Sequence, residues 1–386
     1  MRLIWINMSR IVLALMCFLS LIFISCAGHT NELSLEHKFL QSVTTKFIHP
    51  AHQALEESIG VLEKNSRQFC QNINQQTYLS LRASWVLAMS TWSAIAPINF
   101  GPIDDSNAAW RFQFWPDQIN LVHRKFKSRI KGYNKAILAE DLAAASVAIQ
   151  GLSAIEYLLF DKIVTLEAYQ TKPHLCSVLI ATAKNLLSNA TKLTASWIGE
   201  YPQRWFKFAD AISQTSQTSQ TSQPGYLLRQ VESVFSGLVM ALGSIQGQKL
   251  AKPLGYKKNK TGTETTRGKL NPWLLESWRS QTSLEQINNT LKNGLKLYTT
   301  EQSLSDYLIS KDEKNQVLDR DIRQYFSTSI TLVESFETSA FQDLKNNNSA
   351  QLENLYKHVQ GLYRLLKIDY AKAANIHFRF NAQDGD

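Results

Sequence analysis

The chain has 386 residues, with 41 Lys and Arg against 32 Asp and Glu and a net charge of +9. Its length is enough for two domains with hydrophobic cores of their own. The basic excess does not point to nucleic acid: no recognition motif accompanies it, and the chain begins like an exported protein.

Residues 1–10 carry Arg2 and Arg10 and no acidic residue, and residues 11–24 are almost wholly apolar. A basic start followed by a short apolar run is the pattern of a secretory signal, too short for an ordinary membrane span. The run ends in Ser25-Cys26-Ala27. A small residue before cysteine suits lipoprotein processing, which predicts a signal peptide over 1–25 and a lipid on Cys26. Plain cleavage near Ala27, leaving a soluble periplasmic protein, is the alternative. Ala27 rather than Asp after the cysteine favours the outer membrane, with the protein facing the periplasm. Of the other cysteines, Cys17 lies in the signal, which leaves Cys70 and Cys176. In an oxidising periplasm these two are either a disulfide or two buried free thiols.

The rest reads as helix after helix. Leu81, Trp85, Met89, Trp92 and Ile95 recur at three- and four-residue steps after Tyr78, giving one apolar stripe that Pro97 ends. Residues 136–160 are rich in Ala and Leu and predict one long helix, with Gly151 inside it. Another helix is expected over 174–197. Residues 213–223 read SQTSQTSQTSQ, a polar repeat with nothing to bury, and are expected to form a loop or linker. Asn271-Pro272 is a helix start signal, and Ser283 with Gln286 resembles a capping box. The last long helix repeats Leu352, Leu355, Val359, Leu362, Leu366 and Tyr370. Strand-type alternation is not found over a useful length, so the fold class is all-α. The expected organisation is a helical-bundle domain over 26–205, a linker over 206–224 and a second helical-bundle domain over 225–386.

Two basic runs hold much of the charge, one from Arg124 to Lys131 and one over 249–269, where seven Lys and Arg face a lone Glu264. They read as solvated faces, with phosphate-rich lipid headgroups as the other possibility. Residues 252–270, with Pro253, Gly255, Gly262 and Gly268, read as a long exposed loop. Trp85, Trp92, Trp110 and Trp115 read as core and interface packing. His49 and His52, flanking Pro50, read as surface or capping residues.

Chemistry concentrates in 150–160. Leu152, Ile155 and Leu159 form an inward stripe beside Glu156, and Ser153 shares a face with Glu156 three residues on. A carboxylate on a buried stripe must be paired, protonated or metal-bound. An Arg across the bundle would be the simplest partner.

Here the sequence resembles the imelysin-like proteins, a family catalogued among metallopeptidases. Their marker is Gly-x-His-x-x-Glu followed by a Tyr/Leu-rich tail, and residues 151–160 match it with Ser153 in the histidine's place. Phe69-Cys70, Arg82, Trp85, Trp92, Phe100-Gly101-Pro102 and Phe114-Trp115-Pro116-Asp117 resemble the family's N-terminal pattern. Glu276-Ser277-Trp278-Arg279-Ser280 resembles its C-terminal signature. The resemblance implies two packed helical bundles with a site near their interface, an envelope location and a link to iron-regulated uptake. It makes Gly151, Ser153, Glu156, Glu276, Arg279 and Ser280 the motif and ligand-site candidates, with Arg279 expected to face Glu156. Glu156 is the one candidate metal ligand among them, since a serine hydroxyl is a poor ligand for zinc or iron(II). There is no HExxH to restore a zinc protease site. The expected function is therefore that of a lipoprotein binding a ligand, an iron species or a protein partner of the iron-uptake envelope machinery, without proteolysis. A metal-dependent peptidase of the imelysin class is the alternative.

Overall fold

Spaced apolar residues and local caps set the helices. A computed structural model describes residues 33–105, 108–117, 119–132, 139–199, 201–204, 206, 223–258 and 265–378. The signal segment, Cys26 and residues 207–222 of the expected linker lie outside the described residues. Helices α1 (Leu35–Val43) and α2 (His49–Gln71) are joined by a π-helical turn, Thr44–Ile48. A capping box then starts α3 (Gln75–Ala94): the Thr77 amide donates to the Asn74 side chain at 3.0 Å, and the Thr77 hydroxyl accepts from the Asn74 amide. Next come α4 (Ala108–Phe112), α5 (Leu121–Gly132), α6 (Ala139–Ala143), α7 (Gly151–Phe160), α8 (Leu166–Thr171) and α9 (His174–Ile198). In the second half, α10 (Gln223–Ser244) runs on into a π-helical turn, Ile245–Ala251, and is followed by α11 (Ser283–Thr299) and α12 (Leu304–Lys311). The last helices are α13 (Gln316–Glu334), α14 (Ala340–Lys345), α15 (Ala350–Arg364) and α16 (Ala371–Ala374), the last two joined through a third π-helical turn, Leu365–Tyr370.

The fold is all-α, with α2 packed between α3 and α9, and α13 between α11 and α15. Helix α3 also lies against α11, so the two bundles meet along these helices. The buried apolar residues form one continuous core from Phe39 to Ile376, and the chain from Leu35 onward makes one compact unit. No helix of the described residues is long and apolar enough to cross a membrane.

Several local expectations are corrected. The single helix over 136–160 is broken: α6, a 3₁₀ turn at Val147–Ile149 and α7 follow one another, and Gly151 opens α7 instead of interrupting a helix. The segment 252–270 is not wholly loop. It carries a two-stranded antiparallel hairpin, β1 (Tyr256–Lys258) with β2 (Thr265–Arg267), Tyr256 opposite Arg267. Arg267 pairs with Glu353, which fastens the hairpin to α15. Asn271-Pro272 starts only a 3₁₀ turn, Pro272–Leu274. Thr282, not Ser283, sits at the cap of α11, because the Ser283 hydroxyl is spent on the Glu276 carbonyl.

His52 is not a surface residue. It is fully buried against Trp197, with ring centroids 5.5 Å apart, and its Nδ1 donates to the Ile48 carbonyl at 2.8 Å. Burial pushes its pKa down to about 4, so it packs as a neutral ring. Lys249 is buried as well, so it is no part of a solvated basic face.

Cys70 at the end of α2 and Cys176 at the start of α9 are joined in a disulfide, with Cα atoms 5.6 Å apart. The bridge spans 106 residues of sequence, and on the chain-entropy model closing such a loop limits the unfolded state by about 4–5 kcal/mol. Cys70→Ser with Cys176→Ser is expected to lower the urea midpoint correspondingly, and added reductant should then shift the wild type but not the double variant.

Candidate functional site

Helix α7 is short and enclosed on nearly every side, and its carbonyls are held from outside. Trp85 Nε1 donates to the Leu152 carbonyl at 2.9 Å, Tyr78 to Leu159 at 2.7 Å and Tyr169 to Leu158 at 3.0 Å. The last two carbonyls lie in the terminal turn, where an α-helix has no donors of its own. At the other end Gly151 has φ +67°, and a Cβ there would stand 2.2 Å from the Phe112 carbonyl oxygen. Only glycine allows the backbone around Phe112 to approach so closely in that conformation. The motif glycine is therefore a packing requirement that sets where α7 begins.

With the helix so placed, Ser153 and Glu156 face the bundle interface. The Ser153 hydroxyl donates to the Phe114 carbonyl at 3.1 Å. Glu156 Oε1 accepts two bonds from Ser280, one from its amide at 3.0 Å and one from its hydroxyl at 2.9 Å. Ser280 sits in a tight turn flanked by Ser277 at φ 51° and Gln281 at φ 61°, both left-handed conformations that non-glycine residues rarely adopt. The Thr282 hydroxyl, donating to the Ser280 hydroxyl at 3.0 Å, helps hold that turn.

Arg279 does not take the expected place opposite Glu156. Its Nε bonds Asp161 at 2.9 Å, a second nitrogen reaches Asn120 at 2.9 Å, and the guanidinium lies over the Trp278 and Tyr157 rings. The reason is geometric: Asp161 directly follows α7 and offers a carboxylate that accepts from Nε, while the Ser280 amide and hydroxyl already fill Oε1 of Glu156. Burial raises the pKa of Glu156, opposed by the Ser280 amide bond and the Arg279 charge. Burial likewise pushes Tyr157 up to about 12. When Glu156 holds a proton, it falls to Oε2, the oxygen Ser280 leaves free.

Glu276 belongs to a second polar chain nearby. Trp92 Nε1 donates to Gln113 at 2.7 Å, the Gln113 amide donates to Glu276 Oε1 at 2.9 Å, and Lys249 pairs with Glu276 Oε2 at 2.6 Å. Glu276 and Lys249 are both buried, so each charge requires the other. The π-helical turn that continues α10 carries Lys249 to this point.

Ser153, Glu156, Gln113, Lys252, Trp115 and Arg279 are among the residues lining a small cavity of about 40 Å³ between the bundles. The candidates Gly151, Ser153, Glu156, Glu276, Arg279 and Ser280 are thus gathered around one region, though in two separate polar clusters. Sequence reading missed Gln113, Lys249, Lys252 and Asp161. Only Asp161 had a signal, its position directly after the motif helix. Of the tryptophans, Trp85 is core, whereas Trp92, Trp110 and Trp115 line a larger groove next to this cavity.

A metal centre of the kind the peptidase class implies does not fit these side chains. Ser153 offers a hydroxyl committed to a carbonyl, Glu156 has one oxygen filled by Ser280, and no three His, Cys, Asp or Glu groups converge among the described residues.

The imelysin family model matches residues 48–366, and the chain belongs to that family. Two solved structures share the fold. An imelysin-like protein from Psychrobacter arcticum 273-4 is 20% identical with a TM-score of 0.70, the match covering 90% of this chain and 99% of that one. A protein named as a putative iron-regulated protein A precursor, from Parabacteroides distasonis ATCC 8503, is 15% identical with a TM-score of 0.66, covering 90% and 97%. No curated protein matches the chain.

A buried carboxyl with a raised pKa supports the fold fully below its ordinary value of 4.5, and that support is lost as pH rises through the raised value. Glu156→Gln keeps the acceptor for Ser280 and cannot ionise. The variant should gain on the wild type as pH climbs above 4.5, read as urea midpoints at about pH 4 and about pH 8. An equal loss at both values would refute a protonation role for Glu156.

Proposed function

We propose that this chain is a non-proteolytic binding protein of the imelysin family, lipid-anchored through Cys26 and acting in the bacterial envelope in an iron-related setting. The observation that carries the reading is the state of the motif. Ser153 and Ser280 hold its polar groups in hydrogen bonds, and Glu156 borders a cavity at the bundle interface with one carboxyl oxygen unfilled. Such a group recognises a ligand by accepting or donating a single hydrogen bond, depending on its proton. Among the described residues it lacks the companions that hydrolysis needs: Ser153 stands within a helix with no histidine base placed beside it, and no group of three metal-ligating side chains converges. The iron setting is supported by the name of the Parabacteroides neighbour, a putative iron-regulated protein A precursor. The envelope location and the outer-membrane side rest on the apolar leader and the Ser25-Cys26-Ala27 boundary. Envelope proteins of iron uptake are the partners this setting implies.

Purified protein is expected to hold no stoichiometric zinc and to leave casein intact with or without chelator. Stoichiometric zinc together with chelator-sensitive cleavage would establish the peptidase instead. In cells fed labelled palmitate, the wild type should take up label and Cys26→Ser should not; uptake by both would remove the anchor from the reading.

A further inference from the structure

The cavity beside Glu156 adjoins a much larger groove of about 790 Å³, within the range of small-molecule sites. One wall is the end of α3 with α4, and the other is α10 with its π-helical turn. Along that wall α10 and its π-helical turn present the small residues Ala241, Gly243, Ser244 and Gly247. A Cβ added at Gly247 would meet nothing within 4 Å. Ile95, Ile98, Trp110, Met240 and Phe378 make the groove apolar over much of its length.

Its charged groups do not cancel. Lys249 and Glu276 neutralise each other, and Gln113 is occupied by Trp92 and Glu276. Lys252 is half-buried, lines both the groove and the smaller cavity, and has no ion pair or side-chain hydrogen bond among the described residues. Beside it, Gln248 also lines both spaces, and its buried Oε1 has no partner. A partly buried cation next to an unsatisfied amide is costly unless something fills the site.

We propose that this groove binds an amphiphile with a single carboxylate head group, the head on Lys252 and the apolar body along the tryptophan and isoleucine wall. One ammonium balances one negative charge, whereas a phosphate dianion would leave half its charge unpaired in a partly dry site. The Gln248 amide, which lines the same space, offers an N–H to the same carboxylate. This site does not depend on the Glu156 cavity being filled.

The test is titration of the full chain with palmitate, followed by calorimetry or tryptophan fluorescence, with hexadecanol and hexadecyl phosphate as probes of the head group. Palmitate is expected to bind one to one. Lys252→Gln should weaken palmitate by about tenfold or more, the loss of one charge-assisted bond, while leaving hexadecanol unchanged. Gly247→Leu, which the open space around Gly247 accommodates, should abolish binding of both. Circular dichroism melts establish that each variant is folded, and Lys252→Gln alone decides the matter if Gly247→Leu does not fold. Failure of palmitate binding leaves the zinc and casein outcomes for the Glu156 cavity untouched, so the two readings fail separately. No palmitate binding, palmitate binding indifferent to Lys252→Gln, or tighter binding of hexadecyl phosphate would overturn the proposal.

Discussion

Glu276 draws together parts of the chain that are far apart in sequence. Its carboxylate takes Lys249 from the π-helical end of α10 on one oxygen and Gln113 from the strap after α4 on the other, and its backbone carbonyl takes the hydroxyl of Ser283 at the start of α11. Because the carboxylate is buried, losing Lys249 would leave its charge without compensation. In the turn that follows, Ser277 and Gln281 accept left-handed backbone, and Ser280 is brought to Glu156. The registry of the two bundles near the motif therefore draws on this desolvated carboxylate, together with buried bonds between α3 and α11 from Ser93 to Gln286 at 2.9 Å and from Thr290 to the Ser93 carbonyl at 3.0 Å. The apolar stripes of α3 and α11 set which faces meet.

Around α7 a different device is used. A ten-residue helix is too short to be stable by itself, and here it is braced through its carbonyls by an indole and two phenols and through its first residue by contact with Phe112. Its side chains are thereby held in one orientation. The result is a rigid presentation of Ser153 and Glu156, the sort of support a binding group needs for its partner geometry to be reproducible.

What could be read from the sequence divides along the range of the forces involved. Helices α3, α9, α11 and α15 were legible because their apolar spacing is local. The break at Gly151 was not, since its left-handed φ is imposed by Phe112, almost forty residues earlier, and an Ala/Leu-rich stretch gives no local reason to stop. The hairpin escaped notice because three-residue strands leave no alternation to detect. His52 reads as polar from its neighbours and is buried only because α9 lays Trp197 over it. Among the site residues, the motif and the Glu276–Ser280 segment were recognisable as patterns, but the pairing was not. Arg279 finds Asp161, and Lys249 leaves a basic run to meet Glu276. Such choices among carboxylates depend on where three helices cross, which spacing along the chain does not encode.

The hydroxyl of Ser153 makes one side-chain bond, to a carbonyl, from a position only half enclosed. Most of what positions α7 lies elsewhere, in the bonds from Trp85, Tyr78 and Tyr169, the Ser280 bonds to Glu156 and the close packing at Gly151. The scaffold thus places few demands on position 153, and the third residue of the motif is free to drift while the architecture stays put. A lineage with this fold can gain or discard a ligating side chain there by a single codon change, so chemistry at that spot is evolutionarily cheap to alter and the framework that displays it is not.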